Sequence, residues 1–140
     1  MKRRNLVLAG VLGLGLLGGV AACVGQQGGG MAQGQSLGGE WRVSQINGAA
    51  VPAGVEVTLA ISGNQVSGSS GCNRYNGGVT QDGQAVKFGP AAMTRMACAP
   101  AAMAVEAEFG KALDQISRFD VIDGTLQLYA GDALVIRATR

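Results

Sequence analysis

The sequence predicts an α+β domain in which a curled, barrel-like antiparallel sheet of about seven or eight strands is covered by one α-helix. Three observations lead to this prediction. Several short segments alternate apolar and polar residues, turn signals separate these segments, and one Ala-rich segment has helical spacing instead. Because the connections between the segments are short, neighbouring strands must pair antiparallel.

The segments with period two mark the predicted strands. The clearest places Val55, Val57, Leu59 and Ile61 on one face, and an earlier one begins at Trp41. Similar segments occur at residues 119–123, 125–130 and 134–137. Turn signals stand at Asn47-Gly48, Ser62-Gly63-Asn64, Asn76-Gly77-Gly78, Asp82-Gly83, Asp123-Gly124 and Gly131-Asp132. Because Asn-Gly and Asp-Gly tolerate positive φ, these turns favour hairpins between consecutive strands.

The segment 100–117 departs from this pattern. It begins with proline, which suits the first turn of a helix, and it is rich in Ala, Glu and Met. Its large apolar residues recur at helical spacing, at Val105, Phe109, Leu113 and Ile116. We therefore expect one amphipathic helix that covers the open face or mouth of the curled sheet.

Composition limits the chemistry that the chain can perform. Its 140 residues contain no histidine, which removes the usual general base and the commonest metal ligand. No nucleophile or phosphate-loop motif is present, so we expect no enzymatic activity, no metal and no cofactor. Lys2, Arg3 and Arg4 lie in an N-terminal segment that we expect to be removed. Without them, 8 of the 11 basic residues remain against 9 acidic ones. The remaining chain therefore has no excess of positive charge for the phosphates of a nucleic acid, and we expect no nucleic-acid partner.

Residues 1–22 have the three-part order of a secretory signal peptide. Three basic residues follow Met1, an apolar stretch runs to Val20, and two alanines precede Cys23. A transmembrane helix is the alternative, but the apolar stretch is short and five glycines interrupt it. We therefore predict that the chain is exported.

The end of this segment, Val-Ala-Ala-Cys at residues 20–23, resembles the bacterial lipobox, whose cysteine receives diacylglycerol before cleavage. The resemblance implies a lipoprotein held to the membrane by acyl chains such as palmitate on Cys23, and cleavage without lipidation is the alternative. Residues 23–36 would form the lipidated cysteine and a Gly- and Gln-rich linker. Val24 is not the aspartate of inner-membrane retention, so we expect anchoring in the outer membrane, facing the periplasm.

The other two cysteines are Cys72 and Cys98. Outside the cytoplasm, a disulfide between them is the first expectation, with free buried thiols or a redox pair as alternatives. Two cysteines without histidine are a poor zinc site. Neither cysteine belongs to a Cys-x-x-Cys motif, which disfavours redox chemistry.

Two motifs surround these cysteines. Residues 71–78 read Gly-Cys-Asn-Arg-Tyr-Asn-Gly-Gly, and residues 94–98 read Thr-Arg-Met-Ala-Cys. These motifs resemble the signatures of the META domain family, which includes the heat-inducible lipoprotein HslJ. The resemblance extends over residues 37–140, and the inserted Ala99 is a small departure from it.

The resemblance implies an envelope or secreted domain linked to stress and drug tolerance, and it implies neither an enzymatic activity nor a molecular ligand. We therefore predict a non-enzymatic cell-envelope lipoprotein of the HslJ-like META family. The alternative is an envelope binding module such as an inhibitor of a hydrolase, similar to lysozyme inhibitors. A protruding loop with an exposed Tyr75 or Arg74 would favour that alternative.

Five polar residues of the two motifs form a candidate patch: Asn73, Arg74, Tyr75, Thr94 and Arg95. One interpretation is structural, because Asn and Thr satisfy backbone groups in turns and Arg can cap carbonyls. The other is functional: Arg74 or Arg95 binds a carboxylate or phosphate, and Tyr75 adds an aromatic contact. The partner would then be an anionic envelope component or an envelope protein.

Overall fold

The computed structural model describes residues 36–140. The predicted signal peptide at 1–22, the lipidation site Cys23 and the linker as far as residue 35 lie outside the described residues. No helical segment within 36–140 has both the length and the apolar composition needed to cross a bilayer.

Nine strands and one helix make up the described residues, which confirms the predicted α+β class. The strands are β1 (Gly39–Ile46), β2 (Ala49–Ala50), β3 (Glu56–Ser62), β4 (Gln65–Gly71), β5 (Arg74–Asp82), β6 (Ala85–Met93), β7 (Arg118–Ile122), β8 (Thr125–Ala130) and β9 (Ala133–Thr139). The helix α1 (Pro100–Gln115) connects β6 to β7 and starts at the predicted proline. Because β2 has only two residues, eight strands carry the sheet.

The strands follow one another around a ring. From β3 to β9 each strand pairs antiparallel with its neighbour in sequence. The first strand, β1, pairs with β3 through residues 39–42 and with β9 through residues 42–46. The sheet therefore curls until its last strand meets its first.

One junction of the ring is much thinner than the others. Strands β6 and β7 share a single register pair, Ala85 with Arg118. The Val86 N–H donates to the Ser117 carbonyl at 3.1 Å, and the Phe119 N–H donates to the Gln84 carbonyl at 2.9 Å. Beyond this point the strands separate, so the described sheet is ring-like without being a fully bonded barrel.

Two hairpin turns form as the sequence predicts. At the turn between β1 and β2, Asn47 and Gly48 have φ of 50° and 79°, and at the turn between β7 and β8, Asp123 and Gly124 have φ of 50° and 74°. Positive φ at both central residues is typical of the type I′ turn, whose twist matches that of the flanking strands.

The core fills the inside of the ring beneath the helix. Alternation directs one face of each long strand inward, and α1 buries Phe109, Ala112 and Leu113 against that face. The largest fully buried side chain belongs to Trp41, whose Nε1–H donates to the Leu37 carbonyl at 2.8 Å. The helix therefore covers the open side of the ring as predicted, and it brings its first two turns beside the end of β4.

Candidate functional site

A disulfide joins the two cysteine motifs. Cys72 lies between β4 and β5, Cys98 lies two residues before α1, and their Cα atoms are 5.8 Å apart. The structure therefore contains the pair that the sequence led us to expect. The bond holds the segment before the helix against the β4–β5 connection.

Asn73 is the centre of the hydrogen bonds that surround this disulfide. Its side chain is almost fully buried, and its Oδ1 accepts from the Met96 N–H at 2.6 Å and from the Thr94 hydroxyl at 3.0 Å. Its Nδ2 donates to Glu106 Oε2 at 3.0 Å, and its backbone N–H donates to Glu106 Oε1 at 2.8 Å. One asparagine thus connects both motifs to the helix.

Glu106 receives these bonds together with one from the fully buried Ser70. The Ser70 hydroxyl lies 2.5 Å from Glu106 Oε1 and 2.8 Å from the Asn73 carbonyl, which also accepts the Ser70 N–H. We assign the hydroxyl proton to the carboxylate, because an ionised carboxylate is the stronger acceptor and is also the nearer one. Burial alone would raise the pKa of Glu106, but the bonds from Ser70, Asn73 and the Cys72 backbone together hold its pKa below the ordinary value of 4.5.

Replacing Glu106 by glutamine is expected to lower the free energy of unfolding at pH 7 by about 1–3 kcal/mol. The amide has one acceptor oxygen where the carboxylate has two, so a donor of Asn73 or Ser70 loses its partner. Because the folded pKa is depressed, the carboxylate's contribution is present above pH 4.5 and is lost as the pH falls through the folded value. Urea unfolding at pH 7 and pH 3 measures both effects.

The difference between Glu106→Gln and the wild type should therefore be smaller at pH 3 than at pH 7. The matched control is Glu108→Gln, which changes an exposed carboxylate that accepts from Asn47 Nδ2 at 3.3 Å and lies 3.9 Å from Lys111 Nζ. We expect this control to change stability by less than about 0.5 kcal/mol. An equal loss at both pH values for Glu106→Gln would contradict the assigned role.

Tyr75 lies inside the ring, with 3 % of its surface exposed. Its hydroxyl donates to the Thr58 carbonyl at 2.7 Å, and its ring meets Phe109 edge-on with centroids 5.5 Å apart. Burial also raises the pKa of the Tyr75 hydroxyl. Tyr75 is therefore not available for the aromatic contact of the functional interpretation and has the structural role instead, because strand alternation turns Arg74 outward and its neighbour inward.

Thr94 also has a structural role. Its hydroxyl accepts from the Arg74 N–H at 3.1 Å, and its own N–H donates to the Arg74 carbonyl at 3.0 Å. Arg74 and Arg95 are exposed, and neither guanidinium has a hydrogen-bond or ion-pair partner within residues 36–140. Of the five predicted patch residues, the two arginines alone are therefore available to a ligand.

The β3–β4 ladder is interrupted next to Arg74. The Ser69 N–H donates to the Thr58 hydroxyl at 2.9 Å, and the Thr58 carbonyl accepts from the Tyr75 hydroxyl. Gly68 lies at the same place, where a Cβ atom would stand 2.4 Å from the Thr58 carbonyl oxygen. Side-chain groups thus replace ladder bonds, and the two strands separate locally.

A cleft of about 700 Å³ lies on the outer surface above this interruption. Three small residues of β3 and β4 are among its lining residues and are called its floor here: Ala60, Ser67 and Gly68. Its charged lining residues are Glu40, Arg42, Glu56, Arg74 and Arg140. The cleft therefore combines a floor of small residues with five charged side chains, and its volume suits a small ligand.

The strand register places two of the arginines in one row. Arg42 lies opposite Thr58 across β1 and β3, and Arg74 lies opposite Ser69 across β4 and β5. Because the Ser69 N–H contacts the Thr58 hydroxyl, these four residues run side by side across four strands. Both arginines border the same interruption from opposite sides.

The comparison with known families agrees with this architecture. The model of the META domain family matches residues 34–140. The chain belongs to the META domain family. The comparison with curated protein sequences found no match to this META protein.

Two solved structures resemble the META protein. The NMR structure of a protein from Burkholderia xenovorans is 32 % identical, with a TM-score of 0.61 over 73 % of this chain and 81 % of that one. A second NMR structure is 22 % identical, with a TM-score of 0.58 over 75 % of this chain and 90 % of that one, and it supports the fold alone.

Sequence reasoning missed four of the five charged residues of the cleft: Glu40, Arg42, Glu56 and Arg140. Alternation next to Trp41 predicts that Arg42 points outward. No local signal in the sequence, however, gives the strand register that places Arg42 in the same row as Arg74. Arg95, predicted with Arg74, does not line the cleft. Within the described residues, no group of three or more His, Cys, Asp and Glu side chains is placed to hold a metal ion.

Proposed function

We propose that this META protein is a non-enzymatic lipoprotein of the bacterial cell envelope that acts in envelope stress or drug tolerance. In this proposal, lipid on Cys23 holds it to the outer membrane, facing the periplasm. The observation that carries the proposal is the Val-Ala-Ala-Cys sequence at 20–23, which follows a charged and then apolar leader and precedes an uncharged linker. The disulfide of the domain supports an oxidising compartment, where such bonds persist.

The hydrogen bonds of the two titratable side chains with shifted pKa values support the non-enzymatic part of the proposal. Tyr75 and Glu106 have displaced pKa values, but both are engaged in hydrogen bonds that hold the fold together. A general acid must offer a proton to the substrate, and a general base must offer it a free lone pair. The buried Tyr75 hydroxyl donates its proton to the Thr58 carbonyl, and the Glu106 carboxylate already accepts hydrogen bonds from Ser70 and Asn73.

The alternative, an inhibitor of a hydrolase, loses one of the two residues that favoured it. Tyr75 is buried, and the exposed Arg74 begins strand β5 and is not carried on a protruding loop. Co-purification with lysozyme would still test this alternative directly.

The anchoring is tested in a deletion strain that is complemented with the wild type or with Cys23→Ser. We expect the wild type to incorporate labelled palmitate and to restore tolerance to envelope stress and antibiotics. Cys23→Ser should incorporate no label and should restore tolerance poorly, because stable anchoring requires the acyl chains.

The control for the label is Cys72→Ser, which removes a cysteine of the disulfide instead of Cys23 and should keep the palmitate label. Label on Cys23→Ser would contradict the assignment of the lipid to Cys23. Full rescue by Cys23→Ser that is unlabelled and recovered in the soluble fraction would show that anchoring is dispensable for the function.

A further inference from the structure

We propose that the cleft above the β3–β4 interruption binds a ligand through a single carboxylate or phosphate group, held between Arg42 and Arg74. This inference deepens the proposed function by naming a class of ligand for the META domain. It does not depend on the lipid anchor, because the cleft lies within the described domain. Its failure and the failure of anchoring can therefore be told apart.

The first argument is the position of the two guanidinium groups. Arg42 on β1 and Arg74 on β5 lie at the two ends of one row, and three strand spacings of about 4.8 Å separate their backbones by at least roughly 14 Å. Their long side chains can both reach an anion above the middle of the row. Guanidinium groups bind carboxylate and phosphate with paired, charge-assisted hydrogen bonds.

The second argument is that these charges have no internal partner. Neither Arg42 nor Arg74 forms an ion pair or a side-chain hydrogen bond within residues 36–140, although Glu40 and Glu56 line the same cleft. Arg140 is different, because its guanidinium donates to the Gly38 carbonyl at 3.1 Å and lies over the Trp41 ring. It supplies a third, positioned positive charge at the edge of the cleft.

The third argument is how the signature motif supports Arg74. Asn73 and Tyr75, its neighbours in sequence, are both buried and hydrogen-bonded. Two hydrogen bonds with Thr94 fix the backbone of Arg74 itself. The guanidinium therefore extends from a rigid strand, which reduces the entropy lost when it binds.

The floor and the acidic residues limit the ligand further. Ala60 and Ser67 line the cleft with small side chains that are not buried, so they leave space for a group of several atoms. Glu40 and Glu56 lie on the same cleft and repel additional negative charge. We therefore infer a ligand with one compact anionic group, and we expect polyanions to bind poorly.

The test uses residues 23–140 with Cys23→Ser, produced without the predicted leader so that the chain is soluble and with the Cys72–Cys98 disulfide formed, at low ionic strength. Inorganic phosphate and sodium acetate are titrated separately, and backbone amide signals are followed by NMR. We expect saturable shifts at Thr58, Ser69 and Arg74 with at least one of the two probes. Arg42→Gln and Arg74→Gln should each weaken that binding about tenfold, the effect of losing one charge-assisted hydrogen bond of about 1.4 kcal/mol.

Two further variants distinguish binding in the cleft from nonspecific attraction between the anion and the positive charges of the protein. Arg95→Gln removes the same charge from an exposed arginine outside the cleft and should weaken binding less than twofold. Ser67→Leu keeps the charge but fills the floor, and it should weaken binding about tenfold while leaving the melting temperature within a few degrees. Absence of saturable shifts with both probes, or an equal loss for Arg95→Gln and Arg74→Gln, would overturn the proposal.

The source of the anionic group is distinguished with vesicles. If phosphatidylglycerol vesicles displace the bound probe and phosphatidylcholine vesicles do not, the result supports the cleft as a site for an anionic lipid headgroup. Displacement by neither kind supports a soluble ligand in the same cleft. If phosphatidylglycerol vesicles displace the bound probe equally well from the Arg74→Gln variant, the result contradicts the proposal, because the vesicles would then compete without binding in the cleft.

Discussion

Replacing Cys72 and Cys98 together by alanine is expected to lower the free energy of unfolding by about 3.5 kcal/mol. The two residues are 26 positions apart, and the chain-entropy model gives this value for a crosslink that closes a loop of that size. The loop contains β5, β6 and the segment that leads to the helix. Urea unfolding of the soluble Cys23→Ser form, with and without the two further substitutions, measures the loss.

The wild-type disulfide can also be opened by a reductant, which serves as the control for the substitutions. Reduced protein and the double alanine variant should unfold at the same urea concentration. The variant should keep its sensitivity to Glu106→Gln, because the bonds between Asn73 and Glu106 do not involve the sulfur atoms. A loss below about 1 kcal/mol would mean that those bonds hold the loop closed without help.

Replacing Gly68 by alanine is the second large effect that we expect, with a loss of about 2–3 kcal/mol. A Cβ atom at this position would lie 2.4 Å from the Thr58 carbonyl oxygen and 2.6 Å from the Thr58 hydroxyl. The carbonyl belongs to the backbone and is held by the Tyr75 hydroxyl, so it cannot move aside without breaking that bond. Thermal unfolding measures the loss.

Gly78→Ala is the matched control, because it adds the same methyl group to an exposed glycine of the neighbouring strand. Its Cβ would meet only the Asn64 carbonyl oxygen, at an ordinary 3.9 Å. We expect this control to stay within about 0.5 kcal/mol of the wild type. Equal stability for Gly68→Ala and Gly78→Ala would show that the β3–β4 interruption relaxes freely, and would weaken the case for a fixed cleft.

The fold class could be predicted from sequence wherever apolar residues occupy the inward positions. Strand β3 places Val57, Leu59 and Ile61 inward, so its alternation of apolar and polar residues predicts the strand. Strand β4 has no such alternation, because Gly68 and Ser70 occupy two of its three buried positions. In such a strand the pattern of burial is regular, while the pattern of hydrophobicity is not.

The candidate site was harder to predict, for two physical reasons. The polar character of the Asn-Arg-Tyr motif suggested a surface patch, but alternation and tertiary hydrogen bonds bury Asn73 and Tyr75. The bonds between Asn73 and Glu106 span 33 residues, and no local pattern encodes such a contact. The pairing of Arg42 with Arg74 across one row depends on the register of four strands, which sequence alone leaves open.

The place of β1 between β3 and β9 determines how the domain would respond to mechanical load. The chain enters the domain at β1, so tension applied through the preceding residues is transmitted along this strand. Strand β1 is hydrogen-bonded on both sides, to β3 through residues 39–42 and to β9 through residues 42–46. Tension along a strand loads such ladders in shear, so several hydrogen bonds must break together before the strand can slide. A domain pulled through the residues that precede β1 would therefore resist extraction at the strand that carries Arg42.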